Sequence, residues 1–211
     1  ITFDYFWSLN NDTTILNSTM PALISYAKKH NNNILLSSLI YEADDTTKLW
    51  FSGGVYNKYF AIGNHVDYEK FKASKYKFLS ACSLFIPVSV IDKIGLYNED
   101  IFLYAEDLEF SIRATEKGIP LDVVDSSIVF HVGGASSIKR SYLAYYYIVR
   151  YTISVIVNKH GKFLFLTIIP YHVLKIMYLF LFQSVPFSSL RGYIDGMIDA
   201  IFKGHNVKYK A

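Results

Sequence analysis

Four short stretches of this 211-residue chain carry residue types able to do chemistry. They are Asn10-Asn11-Asp12 after an aromatic run, Ser52-Gly53-Gly54 after Trp50-Phe51, Glu106-Asp107 at the start of a helical pattern, and His131 ahead of Gly133-Gly134. Each has an ordinary structural reading. Asn and Asp are turn residues, and paired glycines mark a tight turn or a close backbone approach. Acidic side chains at a helix start complement its macrodipole, and a His ending a strand is commonly a hydrogen-bonded core residue. The chemical reading is sharper. A carboxylate at the end of a buried strand can hold a hard cation or sit beside phosphate, and a carboxylate at a helix N-terminus facing a cleft can serve as a general base.

The elements that must position these groups alternate in type. Residues 3–9 read as a buried strand, and Pro21 to His30 as a short helix with Ser18 or Thr19 as N-cap and Pro21 in its first turn. "NILLSSLIY" (33–41) reads as a strand, and 50–63 as two strand-like runs about the Gly pair. "KFLSACSLFIP" (77–87) is apolar with the small residues Ala81, Cys82 and Ser83 at its middle. A helix closed by Gly95 follows, then a better one over 105–118 with Leu108, Ile112 and Thr115 on one face and Gly118 as its stop. Two short strands are predicted at 120–124 and 127–132, and from Ile138 onward the pattern is helical. Such alternation followed by a helical tail predicts an α/β layered domain over 1–137 and a helical region over 138–211.

Composition sets the class. Hydrophobic residues make up 52% and aromatics 17% of the chain, which excludes a disordered segment. The net charge of +3 conceals an asymmetry: residues 1–137 hold 11 basic against 16 acidic residues, and residues 138–211 hold 10 against 2. A basic, aromatic-rich tail fits an anionic membrane surface. It does not fit nucleic acid, because the cations are interleaved with long apolar runs rather than arrayed on a polar face. One cysteine permits no intrachain disulfide and suits a reducing compartment. The sequons at Asn11 and Asn17 are expected to be chance matches. The most apolar stretch, 161–187, is interrupted by Pro170, His172 and Lys175. A membrane span wants about 20 apolar residues with few or no charges, so an interfacial, monotopic association is expected in preference to a span.

The order of the pieces adds a resemblance. "FDYFWSLNNDTTI", "WFSGG", "FLSACSLFIPVSVIDKIGLYNEDIFLYAEDLEFSIRATEKG" and "IVFHVGGASS" together resemble family 2 glycosyltransferases, and most closely their rhamnosyltransferase-like branch. The stretch Gly95–Gly118 is the most specific part, since it matches many spaced positions at once. The resemblance implies a GT-A-like, doubly wound mixed sheet, N-terminally truncated, with a C-terminal apolar and basic helical region. It puts Asn10-Asn11-Asp12 at the family's metal-binding Asp motif, with Asn10 where many relatives carry an acid. It implies Asp12 and His131 as ligands of Mg²⁺ or Mn²⁺, Asp107 as general base, and Glu106 as a residue that orients the acceptor or holds the loop. Asn10, Asn11, Ser52, Gly53, Gly54, Ala81, Cys82 and Ser83 are expected to line the donor and acceptor pockets, and Arg113 to be structural. The implied reaction is inverting transfer of a sugar from a nucleoside-diphosphate donor (a dTDP- or UDP-sugar, rhamnose foremost) to a saccharide or lipid-linked acceptor. The implied setting is surface-polysaccharide synthesis at the cytoplasmic face of the cell membrane. The family's first strand and nucleobase-holding acid precede Ile1, so this segment alone is expected to be inactive and its sheet to carry an exposed edge. The rival expectation is a non-catalytic, membrane-associated binding module that keeps the fold without the activity.

Overall fold

A computed structural model describes residues 3–132, 141–183 and 185–203. The expected boundary at 137/138 and the glycines Gly133 and Gly134 lie outside these. The elements run β1 (Tyr5–Leu9), β2 (Thr13–Ile15), α1 (Thr19–Lys29), β3 (Leu35–Glu42), β4 (Leu49–Phe51), β5 (Gly54–Asn57) and β6 (Ile62–His65). They continue through α2 (Tyr68–Ala73), β7 (Lys77–Phe78), β8 (Ser83–Pro87), α3 (Val88–Ile94), α4 (Glu106–Glu116) and β9 (Leu121–His131). The last helices are α5 (Tyr142–His160), α6 (Phe165–Phe182) and α7 (Phe187–Phe202). The chain divides into two compact units. The first comprises the described residues of Ile1–Val55, Asn64–Tyr97 and Asp107–Ala135, and the second those of Tyr56–Gly63, Asn98–Glu106 and Ser136–Ala211.

The first unit is built on a mixed sheet in the order β1-β8-β3-β9-β2, with β4 attached to β3; a smaller sheet has the order β6-β5-β7. Strand β3 pairs parallel with β9 and antiparallel with β8 and β4. Both faces of the main sheet are covered, because successive strand residues point to opposite sides. Leu35, Leu84, Ile86 and Val123 face α3 and α4 through Val90, Ile94, Phe110 and Ala114. Their neighbours Leu36, Phe85 and Val124 face α1 through Leu23 and Ala27. Each such fully buried side chain stabilises the fold by about 1.5–3 kcal/mol relative to exposure. Gly95 (φ 76°) and Gly118 (φ 70°) end α3 and α4 in the left-handed region, as their sequence positions predicted.

Two readings need correction. The strands expected at 120–124 and 127–132 are one strand with a bulge: Ser38 faces Val124 but Leu39 faces Ile128, so Asp125–Ser127 are extra. The bulge turns Ser127 inward, where its hydroxyl lies 2.8 Å from Ser38 Oγ and donates to the Thr19 carbonyl at 3.1 Å. Nor does Ser18 or Thr19 cap α1 in the usual way. Ser18 makes no capping bond, and the Thr19 hydroxyl accepts from Leu16 N–H (3.0 Å) and donates to the Ile128 carbonyl (2.7 Å). The helix start is fixed to β9 rather than to itself.

At the start of β9, the buried Asp122 carboxylate accepts from the hydroxyls of Tyr26 on α1 (2.7 Å) and Tyr68 on α2 (3.0 Å), with Lys72 Nζ at 3.5 Å. Burying a charge is costly unless it is paired and hydrogen-bonded, and here two helices supply the partners. Both tyrosines are held above their ordinary pKa, Tyr26 mainly by its bond to Asp122 and Tyr68 mainly by burial.

The second unit is organised on α5 and α7. Gly192 and Gly196 of α7 lie against the Tyr142 and Tyr146 carbonyls of α5, so closely that an added Cβ would fall 2.2 and 2.4 Å from those oxygens. Tyr142 Oη donates to Asp195 (2.9 Å), and Tyr146 Oη donates to Asp199 (2.6 Å). Both acidic residues of the tail are thereby used internally. Replacing a mid-helix Gly by Ala ordinarily stabilises a helix by about 1 kcal/mol, but Gly192→Ala must push two backbones apart. It is expected to lower stability by at least about 1–3 kcal/mol in urea unfolding, with the exposed Ser188→Ala as a neutral control.

Candidate functional site

The site builds from the link between β1 and β2. Those strands lie at opposite edges of the main sheet, and only Asn10, Asn11 and Asp12 connect them. The link crosses the ends of the intervening strands and is fastened on the way. Asn10 N–H donates to the Cys82 carbonyl (3.1 Å), Val132 N–H to the Asp12 carbonyl (3.0 Å), and the Thr13 hydroxyl to the Asn10 carbonyl (2.6 Å). Asn10 and Asn11 are exposed and Asp12 is half-buried.

Asp12 meets His131 directly, with Nε2 3.2 Å from Oδ1. The cross-strand register of Thr13 opposite His131 brings them together. The His131 Nδ1 is buried without a hydrogen-bond partner. Its ring lies against Trp50, with centroids 4.8 Å apart, and Trp50 also packs on His65 at 4.8 Å. Trp50 was not among the sequence candidates. Its signal was present in the quoted "WFSGG", but nothing in a linear reading joins residue 50 to residue 131.

Asp107 approaches the same loop from the start of α4. Its Oδ2 accepts from Ala81 N–H (3.1 Å) and its Oδ1 from Leu108 N–H (2.7 Å). These bonds fix the carboxylate's orientation against the Ala81–Ser83 backbone. Burial pushes the Cys82 thiol up to about 12, with smaller contributions from the negative charges of Asp12 and Asp107. The Ala81–Cys82 backbone is thus bonded on one side by Asn10 of the link and on the other by Asp107, and Asp12 of the same link meets His131. Beneath them runs a hydroxyl chain: Trp7 Nε1 donates to Ser83 Oγ (3.1 Å), and Ser83 Oγ donates to Ser38 Oγ (2.9 Å).

The remaining candidates are placed differently. Ser52 is buried and its hydroxyl donates to the Val66 carbonyl (3.0 Å). A Cβ at Gly53 would fall 2.4 Å from Phe71, and one at Gly54 2.5 Å from Phe78, so close ring packing demands both glycines. Arg113 grips Glu109 with two bonds (3.0 and 2.8 Å) and reaches the Ile94 carbonyl, the structural role expected of it. Glu106 belongs to the second unit. It follows two consecutive left-handed residues, Tyr104 (φ 64°) and Ala105 (φ 63°), a strained backbone of the kind that clusters at functional sites. Its Oε2 is buried with no partner, and burial holds its pKa above the ordinary carboxylate value.

Asp12 and His131, the pair expected to hold a divalent cation, lie within 3.2 Å of each other. Among the described residues no three of His, Cys, Asp and Glu are grouped to bind a metal. A cation at Asp12 and His131 would take its other ligands from phosphate and water. Mg²⁺ commonly binds in that way, through one or two carboxylates plus substrate phosphates.

No family model matches the chain, and no curated protein does. Among solved structures the chain is similar to that of GalNAc-T7 with UDP, GalNAc and Mn²⁺, at 13% identity and a TM-score of 0.48. The similarity covers 87% of this chain and 42% of that one, so this chain spans less than half of that protein's length. A likeness this slight carries no argument about activity.

Two outcomes follow from the geometry. Because Cys82 stays a protonated thiol, alkylation by iodoacetamide at about pH 8 is expected to be at least about a hundredfold slower in the folded chain than in urea. Comparable rates would show that Cys82 is open to solvent. Glu106 has the opposite sign from a salt-bridged carboxylate. The folded state keeps its proton to higher pH than the unfolded state, so stability falls as pH rises from the ordinary carboxyl value through the raised one. Glu106→Gln is expected to flatten that slope in thermal unfolding from about pH 4, near the ordinary carboxyl value, to about pH 7. It is also expected to stabilise the chain at the upper end of that range.

Proposed function

We propose that this chain carries catalytic residues of an inverting glycosyltransferase that takes a sugar from a nucleoside diphosphate and gives it to a saccharide hydroxyl. The observation that carries this reading is that the Ala81–Cys82 backbone is bonded both by Asp107 and by the Asn10–Asp12 link, whose Asp12 meets His131. The supporting sequence is the spaced pattern from Gly95 to Gly118.

In this mechanism the acceptor hydroxyl attacks C1 of the sugar. Its proton passes to the Asp107 carboxylate, the new C1–O bond forms as the C1–O bond to the diphosphate breaks, and the electron pair leaves on the diphosphate oxygen. One displacement inverts the anomeric centre. Asp12 and His131 would hold a Mg²⁺ or Mn²⁺ ion, which supplies Lewis-acid stabilisation of the charge growing on the diphosphate. The amides of Ala81 and Leu108 hold Asp107 in a fixed orientation, as a base within hydrogen-bond reach of its proton requires. The donor we favour is a dTDP-sugar, rhamnose first, with a UDP-sugar next; the acceptor class includes lipid-linked saccharides on the cytoplasmic side.

The test is release of free nucleoside diphosphate by the full-length protein, with a panel of nucleotide sugars and mixed saccharide acceptors. Asp107→Asn is expected to lower turnover by about 10²–10⁴, with the donor still bound. Asp12→Ala is expected to abolish the response to added Mn²⁺. Full turnover in Asp107→Asn would overturn the assigned base. Neither release nor Asp12-dependent donor binding with any sugar would favour the non-catalytic, membrane-associated binding module instead.

A further inference from the structure

Helix α6 has its polarity reversed. A surface helix in water turns its apolar stripe inward and its polar face outward. Here the inward stripe contains the two polar members of the helix centre. His172 is buried, with Nδ1 2.6 Å from the Tyr193 hydroxyl and Nε2 2.8 Å from the Phe60 carbonyl. Lys175 Nζ lies 5.9 Å from the centre of the Tyr193 ring. The outward face carries Leu166, Leu174, Met177, Phe180, Leu181 and Phe182, each more than half exposed. Helix α7 repeats the pattern more weakly, with Phe187, Ile194, Ile198 and Phe202 exposed along one stripe.

The segment Lys162–Phe182 is 21 residues long and apolar enough to cross a bilayer, but it is not free on all sides. The hairpin tip Tyr56–Gly63, which belongs to the same unit, grips one flank of it. Phe60 stacks on Tyr171 at 4.7 Å, and the Thr167 hydroxyl donates to the Tyr59 carbonyl at 2.6 Å. A helix held along one side by protein with backbone carbonyls bonded to it presents one face, not a cylinder, to whatever covers it.

We propose that the outward face of α6, with the apolar stripe of α7, docks flat on an anionic phospholipid bilayer, and that α6 lies in the interface without crossing it. Charge selects this occupant over a second copy of the chain. Lys159 and Lys162 stand at the α5–α6 junction; Arg191 on α7 lies 3.6 Å from Asp195 and Lys203, just past it, 2.9 Å from Asp199, so the pairing of these two cations leaves residues 138–211 with ten Lys and Arg against two acids in all. A surface of this kind repels its own copy and attracts anionic headgroups, which add about 1 kcal/mol per nearby cation. Apolar side chains entering the bilayer to a depth of about 5–10 Å supply the rest. The docking face belongs to the second unit alone and does not depend on the transfer chemistry.

The experiment is co-sedimentation of the full chain with vesicles of phosphatidylcholine alone and with phosphatidylglycerol added at roughly one part in three, a content chosen to give a negative surface potential. Strong binding to the anionic vesicles is expected, weakened at high salt and released by alkaline carbonate. Leu174→Asp combined with Leu181→Asp is expected to weaken binding at least tenfold. Both positions are exposed, so thermal unfolding should be unchanged and serves as the check on folding. Retention through carbonate washing would mean a span and would overturn flat docking. Undiminished binding by the double variant would overturn the assigned face. Self-association in the absence of vesicles, lost in the double variant, would give the face to a second copy.

Discussion

A three-residue link joins two strands at opposite edges of one sheet, and the first unit depends on that constraint. Four inter-strand spacings of about 4.8 Å exceed the reach of the link, which extends at most about 3.3–3.6 Å per residue. A flat sheet with this strand order cannot be closed by Asn10–Asp12. The sheet that the link closes carries a bulge at Asp125–Ser127 of β9, and bulges bend a strand and increase its local twist. Beyond the bulge, the last residues of β9 pair with β2, Thr13 opposite His131. The Ser127 hydroxyl that the bulge turns inward is tied to Ser38 and to Thr19. The bend is therefore held from two sides.

The chemistry of the site is a consequence of that closure. A link stretched across strand ends has no slack for its side chains to fold back, and its backbone groups are bonded to Cys82 and Val132. Asp12 is left half-buried beside an imidazole, while the small residues Ala81–Ser83 allow Asp107 to bond the backbone itself. Cys82 is 4% exposed and its side chain belongs to the core, while its carbonyl accepts from Asn10 of the link. The burial that makes Cys82 inert as a thiol accompanies the close packing in which Asp107 and the link both bond the Ala81–Cys82 backbone.

In the second unit the equivalent constraint is the approach of α5 and α7. Gly192 and Gly196 permit it, and the Tyr–Asp pairs fix its register. Tyr193, on the same helix, is then in place to receive His172, and this draws the polar centre of α6 inward. The apolar face of α6 is outermost because its polar groups have better partners inside. Burying His172 with both nitrogens bonded avoids the cost of an unsatisfied polar group.

Much of this was legible in the residues. The aromatic run ending at Asn10–Asp12, the helix stops at Gly95 and Gly118, the helix opening at Glu106-Asp107 and the basic tail are all local or compositional, and each depends on backbone preference or charge that a short stretch carries with it. Other features could not be read that way. Ser52 bonds Val66 and Gly53 and Gly54 make room for Phe71 and Phe78, partners 14 or more positions away that no short stretch names. Trp50 joined His131, and the two strands foreseen at 120–132 fused through a bulge whose reason lies in Ser38 and Thr19. His172 and Lys175 read as interruptions of an apolar helix, because a sequence shows that a polar residue is present but not which way it faces. Residue type and local periodicity determined the elements and the chemistry they could bear. Which side chains meet, and which face of α6 is left outward, was decided only by long-range pairing and packing, whose partners lie too far apart in the chain for any local preference to specify.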